Sequence, residues 1–451
     1  MNGKERVLKA LSFETVDRTP WVPYAGVQTA NLLDMDAEAY LKSVDNIVAG
    51  VLKANEVYKP DGLPVAFDLQ IEPEALGCDI KWAANNPPSV TSHILEEKSV
   101  KDLKLPTEND GRYPIVLEAA RRIAAEIGDE TALYALICGP FTLASHLMGT
   151  NLFMDMIMDP DKVKEVMEFS NQVAKDFAKM YSTTGVHVIA TVDPMVTQIS
   201  PDHFEEFVSP YLKDLNSYVK ELGLKVTTFC CGDATKCLEL MCQAEPDGLA
   251  FDENVDLAFA RELADKYKVS IGGNLPLTTK MLFGSPMENV EEVKKEIEIA
   301  GGSPGYILSP GCDMPFDTPI DNIKAISQYV RGEFTSLDNF TTDRQLEEDG
   351  EEEVFEDIVV EQGKAFIEII TLDSEGCAPC QYMLESVRRV LPKYEGKVDY
   401  RESLVKSKAG IARAMKLGVV NLPAMLINND LVFDNIIPSE ADLIKEIDKR
   451  L

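Results

Sequence analysis

The sequence predicts an α/β chain in which a (β/α)8 TIM barrel is followed by a small second α/β domain. Short apolar runs, such as ALYALICG and VHVIATVD, alternate with longer stretches, such as VEEVKKEIEIAG, whose apolar residues recur at three- and four-residue steps. This alternation of strand and helix implies parallel strands joined by crossover helices. The strand runs are apolar throughout, as in a sheet that is buried on both faces. The length of the alternating region favours a barrel over an open sheet.

A highly acidic stretch separates the two predicted domains. Residues 338–357 contain ten acidic residues and a single arginine. Such a run repels itself and cannot form a core, so it is typical of a solvated linker. We therefore expect the barrel over residues 1–335, an acidic linker over 336–360 and the second domain over 361–451.

The charge of the chain excludes some classes of partner. The formal net charge is −32 over 451 residues, whereas nucleic acid and anionic membranes need basic contacts, so neither is expected as a partner. No apolar run reaches the roughly 20 residues of a transmembrane helix, and the opening MNGKERVLKALSF lacks the apolar core of a signal peptide. We expect a cytoplasmic protein whose nine cysteines are mostly free, catalytic or metal-bound.

Polar or unusual residues follow six consecutive predicted strands. In a (β/α)8 barrel the carboxyl ends of the strands form the active-site face, so these residues are expected to converge on one mouth. The six groups are Cys138-Gly139-Pro140, Asp193-Pro194, Cys230-Cys231-Gly232-Asp233, Phe251-Asp252-Glu253, Gly273-Asn274 and Pro310-Gly311-Cys312-Asp313.

Two of these cysteines are candidates for a shared site. Cys231 and Cys312 are 81 residues apart, and each lies beside a glycine at a predicted strand end. Two thiolates that converge at a barrel mouth suit Zn²⁺, while free cysteines are also common in apolar cores. Spacing alone leaves both interpretations open. Cys230, adjacent to Cys231, is considered below. For the other cysteines of the barrel we expect core positions: Cys78, Cys138, Cys237 and Cys242.

The barrel region resembles the uroporphyrinogen decarboxylase superfamily. The segments that carry the resemblance hold their order and spacing along the whole region, and they include KERVLKALSFETVDRTPWVP, CGPFTLASHLMG, CCGD and GYILSPGCDMPFDTPIDNIKAI. They look closer to the methylcobalamin:thiol (coenzyme M-type) methyltransferase branch than to the decarboxylase. The resemblance implies a (β/α)8 barrel with its site at the strand carboxyl ends.

The same resemblance implies which residues hold a metal. In the methyltransferase branch, zinc is bound by a His-x-Cys pair on one strand and a later cysteine in a Pro-Gly-Cys turn. Cys231 and Cys312 match the two cysteines, but Phe229 stands in the position of the histidine. Cys230 is the neighbouring thiol that would replace it as a ligand if the strand end bends, because adjacent residues of a regular strand point to opposite faces.

Acidic residues at two other strand ends complete the predicted site. Asp252 or Glu253 is a candidate ligand that would complete the zinc shell. Asp193 is a catalytic candidate, expected either to position the substrate or the corrinoid edge, or to cap the helix that follows it.

The function implied by the resemblance is methyl transfer from a methyl-corrinoid (cobalamin), carried by a corrinoid protein, to a small thiol or tetrahydrofolate acceptor. Zinc would deprotonate an acceptor thiol and make it nucleophilic. One alternative is a metal-free, decarboxylase-like lyase, but the segment PWVPYAGVQTANLLD lacks the arginine expected for uroporphyrinogen. Another is a redox-regulated binding protein whose barrel is inactive.

The second domain carries a Cys-x-x-Cys motif. It reads as a strand, a loop with Cys377 and Cys380, and then an amphipathic helix. A thiol at a helix N-terminus has a lowered pKa and is reactive. This domain looks thioredoxin-like, and Pro423 matches the family's cis-proline; a zinc ligand pair is the alternative. We expect its dithiol to reduce a disulfide of the barrel, such as Cys230–Cys231 or Cys231–Cys312, or of the acceptor.

Overall fold

The protein is described here from a computed structural model. It describes residues 1–301, 304–336, 358, 360, 363–372, 378–419 and 421–451. The chain divides into two compact units, Met1–Thr342 and Asp343–Leu451. The predicted acidic linker, residues 336–360, lies almost entirely outside the described residues, so its predicted bounds stay a prediction. In the described part of the chain, no helix is both long and apolar enough to cross a membrane.

The first unit is built around a parallel sheet. Seven strands form it in the order β1-β4-β5-β6-β7-β8-β9, and each neighbouring pair is parallel. The strands of this unit are β1 (Gly62–Ala66), β2 (Ile80–Lys81), β3 (Ser89–Val90), β4 (Ala132–Cys138), β5 (Val188–Val192), β6 (Lys225–Cys230), β7 (Gly248–Phe251), β8 (Ser270–Leu275) and β9 (Tyr306–Pro310). β4, β5, β7, β8 and β9 are buried along their whole length. The predicted parallel α/β architecture, buried on both faces, is confirmed.

A short segment before β1 joins the two edges of this sheet. Trp21 forms a parallel bridge with Leu308 in β9. The Val22 N–H donates to the Leu308 carbonyl at 3.0 Å, and the Leu308 N–H donates to the Pro20 carbonyl at 2.9 Å. On the other side, the N–H of Asp61, directly before β1, donates to the Trp21 carbonyl at 2.8 Å. The sheet is therefore curled, with backbone hydrogen bonds running from its last strand through Trp21 to its first.

Helices follow the strands as the alternating pattern predicts. Several begin at residues that cap them: Asp159 accepts from the Lys162 N–H, and Ser285 and Glu288 form a capping box. The helices are α1 (Gly3–Leu11), α2 (Gln28–Asn31), α3 (Ala37–Leu41), α4 (Val44–Tyr58), α5 (Ile71–Ala75), α6 (Tyr113–Ile127), α7 (Pro140–Met148), α8 (Asn151–Met158), α9 (Pro160–Ser182), α10 (Pro201–Phe207), α11 (Ser209–Glu221), α12 (Leu238–Gln243), α13 (Leu257–Tyr267), α14 (Pro286–Ala300) and α15 (Ile320–Val330).

Aromatic side chains fill the interior of the curled sheet. Tyr24 and Phe229 lie with ring centroids 4.6 Å apart, Phe67 lies 5.7 Å from Phe229, and Tyr134 lies 6.3 Å from Tyr24. These four residues belong to one buried cluster with alanines and valines of β4 and β5. We call them the aromatic floor, because Cys231 and Cys312 pack against the same cluster.

The second unit has its own sheet and core. Its elements, in chain order, are β10 (Ala365–Thr371), α16 (Ala378–Val390), β11 (Val398–Leu404), α17 (Lys408–Lys416), β12 (Ala424–Ile427), β13 (Asp430–Asp434) and α18 (Glu440–Asp448). The sheet order is β11-β10-β12-β13, with β10 parallel to β11 and antiparallel to β12. Apolar residues of β10, β12, α16 and α18 form the core. The Leu422–Pro423 peptide bond before β12 is cis.

Candidate active site at the carboxyl ends of the strands

The two cysteines predicted to share a site are joined. Cys231 follows β6 and Cys312 follows β9, and their sulfurs form a disulfide with an S–S distance of 2.10 Å and a Cα–Cα distance of 5.6 Å. Both side chains are partly buried and pack against the aromatic floor. Convergence of these two thiols was predicted; that they form a disulfide was one of two pairings considered for the barrel.

Cys230 does not join them. Phe229 and Cys231, two residues apart, both contact the interior cluster, whereas Cys230 between them is fully buried on the other face of β6. Its sulfur lies 3.7 Å from the Asp193 carbonyl oxygen, and burial raises the pKa of its thiol well above the usual range. A Cys230–Cys231 disulfide is therefore absent, and Cys230 lies on the opposite face from Cys231.

Phe229 occupies the position at which the resemblance implies a histidine ligand. It has no exposed surface and packs between Tyr24 and Phe67. The side chain therefore contributes to the floor beneath the two sulfurs, where a histidine would have offered a nitrogen.

Glu253, after β7, presents an unused oxygen to the same region. Its Oε1 accepts from the Leu277 N–H at 3.3 Å, while Oε2 is buried and has no hydrogen-bond partner among the described residues. A Cβ placed on Gly311, next to Cys312, would lie 2.5 Å from Oε2, so only glycine lets the carboxylate approach this closely. Burial raises the pKa of the Glu253 carboxyl well above its usual range.

Asp252 is less available as a ligand than Glu253. Its Oδ1 accepts from the Asn254 N–H at 3.0 Å and from the Asn254 side-chain amide at 2.7 Å, which closes a local turn. Burial also raises the pKa of this carboxyl.

A metal at these residues would require the disulfide to be reduced first. Zinc prefers thiolate, imidazole and carboxylate ligands. Reduction would release two adjacent thiols, and the unpartnered Glu253 oxygen lies beside Gly311, the residue before Cys312. In the disulfide form the sulfurs are bonded to each other, and within the described ranges no group of three or more His, Cys, Asp or Glu side chains surrounds a common metal position.

Asp193 lies at the end of β5 and caps a helix. Its carboxylate accepts from the Phe141 N–H at 3.2 Å, the Thr142 N–H at 2.8 Å and the Thr142 hydroxyl at 2.6 Å. The helix that it caps is α7, which follows β4. Of the two predicted roles, a cap on the helix after Asp193 itself is wrong, because the carboxylate reaches across to the neighbouring strand end. Burial raises the pKa of Asp193 to about 6.

Sequence reasoning missed a second group of buried acids, after β1. Asp68 pairs with Arg112 at 2.6 Å, and Arg112 also pairs with Glu74 at 2.5 Å. Glu72 accepts from the Cys138 N–H at 2.7 Å, and burial raises its pKa to about 8. The available signal was the run FDLQIEPE, which places acids directly after an apolar strand.

The other predicted cysteines divide into two groups. The four expected core cysteines are buried and free, as predicted: Cys78, Cys138, Cys237 and Cys242. Cys377 lies outside the described residues. Cys380 is buried in α16 and is disulfide-bonded, and Pro423 is the cis-proline noted above.

Residues 2–332 match the uroporphyrinogen decarboxylase (URO-D) family. The chain belongs to this family. It is 28% identical over 338 residues to the methylcobamide:CoM methyltransferase MtbA of Methanosarcina acetivorans, covering 73% of this chain and 97% of that protein. A uroporphyrinogen decarboxylase of Carboxydothermus hydrogenoformans is 27% identical over 278 residues, covering 60% and 77% of the two chains. A solved structure of a methyltransferase from Methanosarcina mazei has the same fold, with a TM-score of 0.69, 24% identity and coverage of 74% of this chain and 100% of that one.

Proposed function

We propose that the first unit transfers a methyl group from a methyl-corrinoid, presented by a corrinoid protein, to a thiol. The observation that carries this proposal is the meeting of Cys231 and Cys312 at the carboxyl ends of β6 and β9, on the aromatic floor. It is supported by the relatives that match nearly their whole length and are named methylcobamide:CoM methyltransferases. Tetrahydrofolate stays the second acceptor to test.

In the reduced protein, Cys231, Cys312 and Glu253 would hold zinc or a similar thiophilic ion. When bound, such an ion lowers the pKa of an acceptor thiol and keeps it as thiolate at neutral pH. The chain supplies the surroundings: the aromatic floor excludes water from below, and Gly311 leaves room for the Glu253 carboxylate. Asp193 fixes the N-terminus of α7 at the rim through its three hydrogen bonds.

For the second unit we propose a thioredoxin-like thiol–disulfide exchange domain. The order strand, helix, strand, helix, strand, strand, helix supports it, as does the Cys-x-x-Cys motif that leads into α16. In the exchange, a dithiol at Cys377 and Cys380 gives two electrons and two protons to a disulfide such as Cys231–Cys312. The acceptor disulfide becomes two thiols, and Cys377 and Cys380 become joined.

Methylcobalamin demethylation by the full-length chain tests the proposal. The protein is reduced with a dithiol, which is then removed because it would itself accept methyl groups, and is loaded with Zn²⁺. We expect 2-mercaptoethanol to be methylated, and Cys231→Ala or Cys312→Ala to lose bound zinc and at least about 100-fold in rate. Cys230→Ala, whose side chain lies on the other face of β6, is the matched control and should keep both. Retention of zinc and rate by Cys231→Ala would refute the proposed site.

A further inference from the structure

We infer that an exposed apolar face of α8 is the surface on which the corrinoid protein docks when it presents its methyl group to the first unit. The inference rests on the proposed methyl transfer and concerns how the donor reaches the site. The surface consists of Met154, Ile157 and Met158, and we call it the α8 face.

The apolar side chains of the α8 face are unusually open to solvent. Met154, Ile157 and Met158 are 52%, 73% and 80% exposed, and within the described residues of the first unit no other large apolar side chain is more than half exposed. Their spacing of three and four residues places them on one side of the helix, while Leu152 and Met156 are buried on the other. An apolar surface of this kind is typical of a contact with another protein, and methionine adapts well to a partner's shape.

The α8 face lies on the same side of the barrel as Cys231 and Cys312. α9, which directly follows α8, ends at Ser182, shortly before β5 begins at Val188, so the C-terminus of α9 lies at the amino ends of the strands. The 23 residues of α9 span about 34 Å and the five residues of β5 about 17 Å. The start of α9 therefore reaches past the carboxyl end of β5. α8 packs against this helix and against α7, whose N-terminus Asp193 holds at the strand carboxyl ends.

This position favours the corrinoid protein as the partner. In the proposed reaction the methyl donor is a flat ring carried by a second protein, and the ring must come close to Cys231 and Cys312. The carrier therefore has to approach from the side of the strand carboxyl ends. A surface at this edge can hold the carrier while the ring faces the two sulfurs.

The charges beside the α8 face indicate the chemistry of that partner. Residues 151–168 contain five acids and two lysines. Both lysines, Lys162 and Lys164, are in ion pairs with acids at 2.6 Å, and Asp161 is exposed. The surface is thus bordered by net negative charge, and its partner is expected to place basic side chains around an apolar centre. Two copies of this chain that met through the α8 face would bring like charges together, which disfavours self-association.

Two methyl donors separate docking from chemistry. One is free methylcobalamin, and the other is a corrinoid-binding protein from the same organism, reconstituted with methylcobalamin. Both are assayed with 2-mercaptoethanol and the reduced, zinc-loaded full chain. Ile157→Ser should lower kcat/KM for the protein-bound donor by at least about tenfold, because a central apolar contact is lost. The value for free methylcobalamin should change by less than about twofold.

Ile299→Ser is the matched control for that substitution. Ile299 is 41% exposed in the last turn of α14, near the amino ends of the strands, so its loss should leave kcat/KM for both donors unchanged. An equal loss with both donors in Ile157→Ser, or no loss with the protein-bound donor, would overturn the docking inference. A wild-type chain that uses free methylcobalamin but not the protein-bound donor would also overturn it and would leave the proposed function standing. If the wild type demethylates neither donor, the proposed function fails and the docking inference fails with it.

Light scattering tests the other occupant, a second copy of this chain. We expect Ile157→Ser to leave the molecular mass in solution unchanged. If the wild type were a dimer that this substitution converted to a monomer, the α8 face would be a contact between copies and the inference would be wrong.

A charge reversal tests the predicted basic face of the partner. Asp161→Lys should lower kcat/KM for the protein-bound donor by about threefold or more and weaken its dependence on salt, with no change for free methylcobalamin. Glu298→Lys, an exposed change next to Ile299 on α14, is the control and should leave both donors unaffected. A higher kcat/KM in Asp161→Lys would show that the docking face of the partner is acidic, against the inference.

Discussion

Carboxylates at the two ends of the curled sheet differ in their partners, which are cations at the amino ends and neutral groups around Asp193 and Glu253 at the carboxyl ends. At the amino ends of the strands, Asp61 pairs with Arg6 at 2.5 Å and with Arg18 at 2.6 Å, and Asp247 pairs with Lys225 at 3.0 Å. At the carboxyl ends, Asp193 and Glu253 bond to neutral N–H or hydroxyl groups, and no cation pairs with either within the described part of the chain. Asp193 and Glu253 thus lack the counter-ion that Asp61 and Asp247 have, while Asp68, after β1, is paired with Arg112.

This difference suits the amino ends of the strands to stabilising the fold and the carboxyl ends to function. A buried charge with good partners holds elements together, whereas a buried carboxylate without a counter-ion shifts its own pKa and costs folding free energy. Such costs are typical of sites that need a particular charge state, and in barrels they gather at the carboxyl ends of the strands. The amino end is therefore expected to respond to mutation in stability, and the carboxyl end in pH dependence and activity.

The largest expected effect comes from removing a paired carboxylate at the amino ends of the strands. Asp61→Ala would leave the buried Arg6 with Asp17 as its remaining carboxylate and would leave the half-buried Arg18 without the carboxylate it pairs with. It would also remove the acceptor of the Trp21 N–H, a bond of 2.8 Å in the segment that joins the sheet edges. Breaking a buried pair in this way costs about 3–5 kcal/mol. Urea unfolding measures the loss of free energy.

Asp129→Asn provides the matched control for that measurement. Asp129 is fully exposed and lies 3.9 Å from Lys4, so its loss should change stability by less than about 0.5 kcal/mol. If Asp61→Ala were no more destabilising than this control, the ion pairs at the amino end would not support the fold.

An intermediate effect is expected for Glu72, a buried acid near the carboxyl ends of the strands, on the pH dependence of stability. The pKa of Glu72 is raised to about 8 by burial, so between about pH 4.5 and 8 the folded state holds a proton that the unfolded state has released. Stability is therefore present at low pH and is lost as pH rises through this window, by as much as about 3 kcal/mol near pH 7.

Glu72→Gln cannot titrate and should remove that dependence. Its amide oxygen can still accept from the Cys138 N–H. Denaturation midpoints recorded at several pH values for both proteins should show the wild type losing stability from pH 5 to pH 8 while the variant loses less. Parallel curves for the two proteins would mean that Glu72 does not carry the shift.

The smallest expected effect concerns Asp193. Asn at this position keeps one oxygen for Thr142 but turns an amide group toward the Phe141 N–H, so the cap on α7 weakens by about 1–2 kcal/mol. Because both carboxylate oxygens are occupied by α7, we expect the demethylation rate per folded molecule to stay within about threefold. If the demethylation rate per folded molecule fell by about 100-fold, that result would instead support the predicted catalytic role of Asp193.

The sequence predicted the architecture and the convergence of Cys231 and Cys312. It did not predict which way individual side chains point or which single residues bridge the sheet edges. The regular spacing of apolar residues predicted the parallel strands and their helices, because this spacing continues over many residues in each element. The Trp21 bridge has no such pattern, since a single residue between Pro20 and Val22 makes it. Adjacent Cys230 and Cys231 could not be told apart until β6 fixed which face meets the aromatic floor.

The amino-acid sequence by itself determined the family, the alternation of strand and helix, and the placement of Cys231, Cys312 and several acids at strand ends. These follow from local periodicity and motif spacing, which are properties of the chain. Only the tertiary structure decided that Cys230 faces away, that Asp193 caps α7 and that Glu253 keeps an unpartnered oxygen beside Gly311. Those outcomes depend on which side chains from distant segments share a buried space, and burial and hydrogen-bond geometry exist only once the strands are side by side.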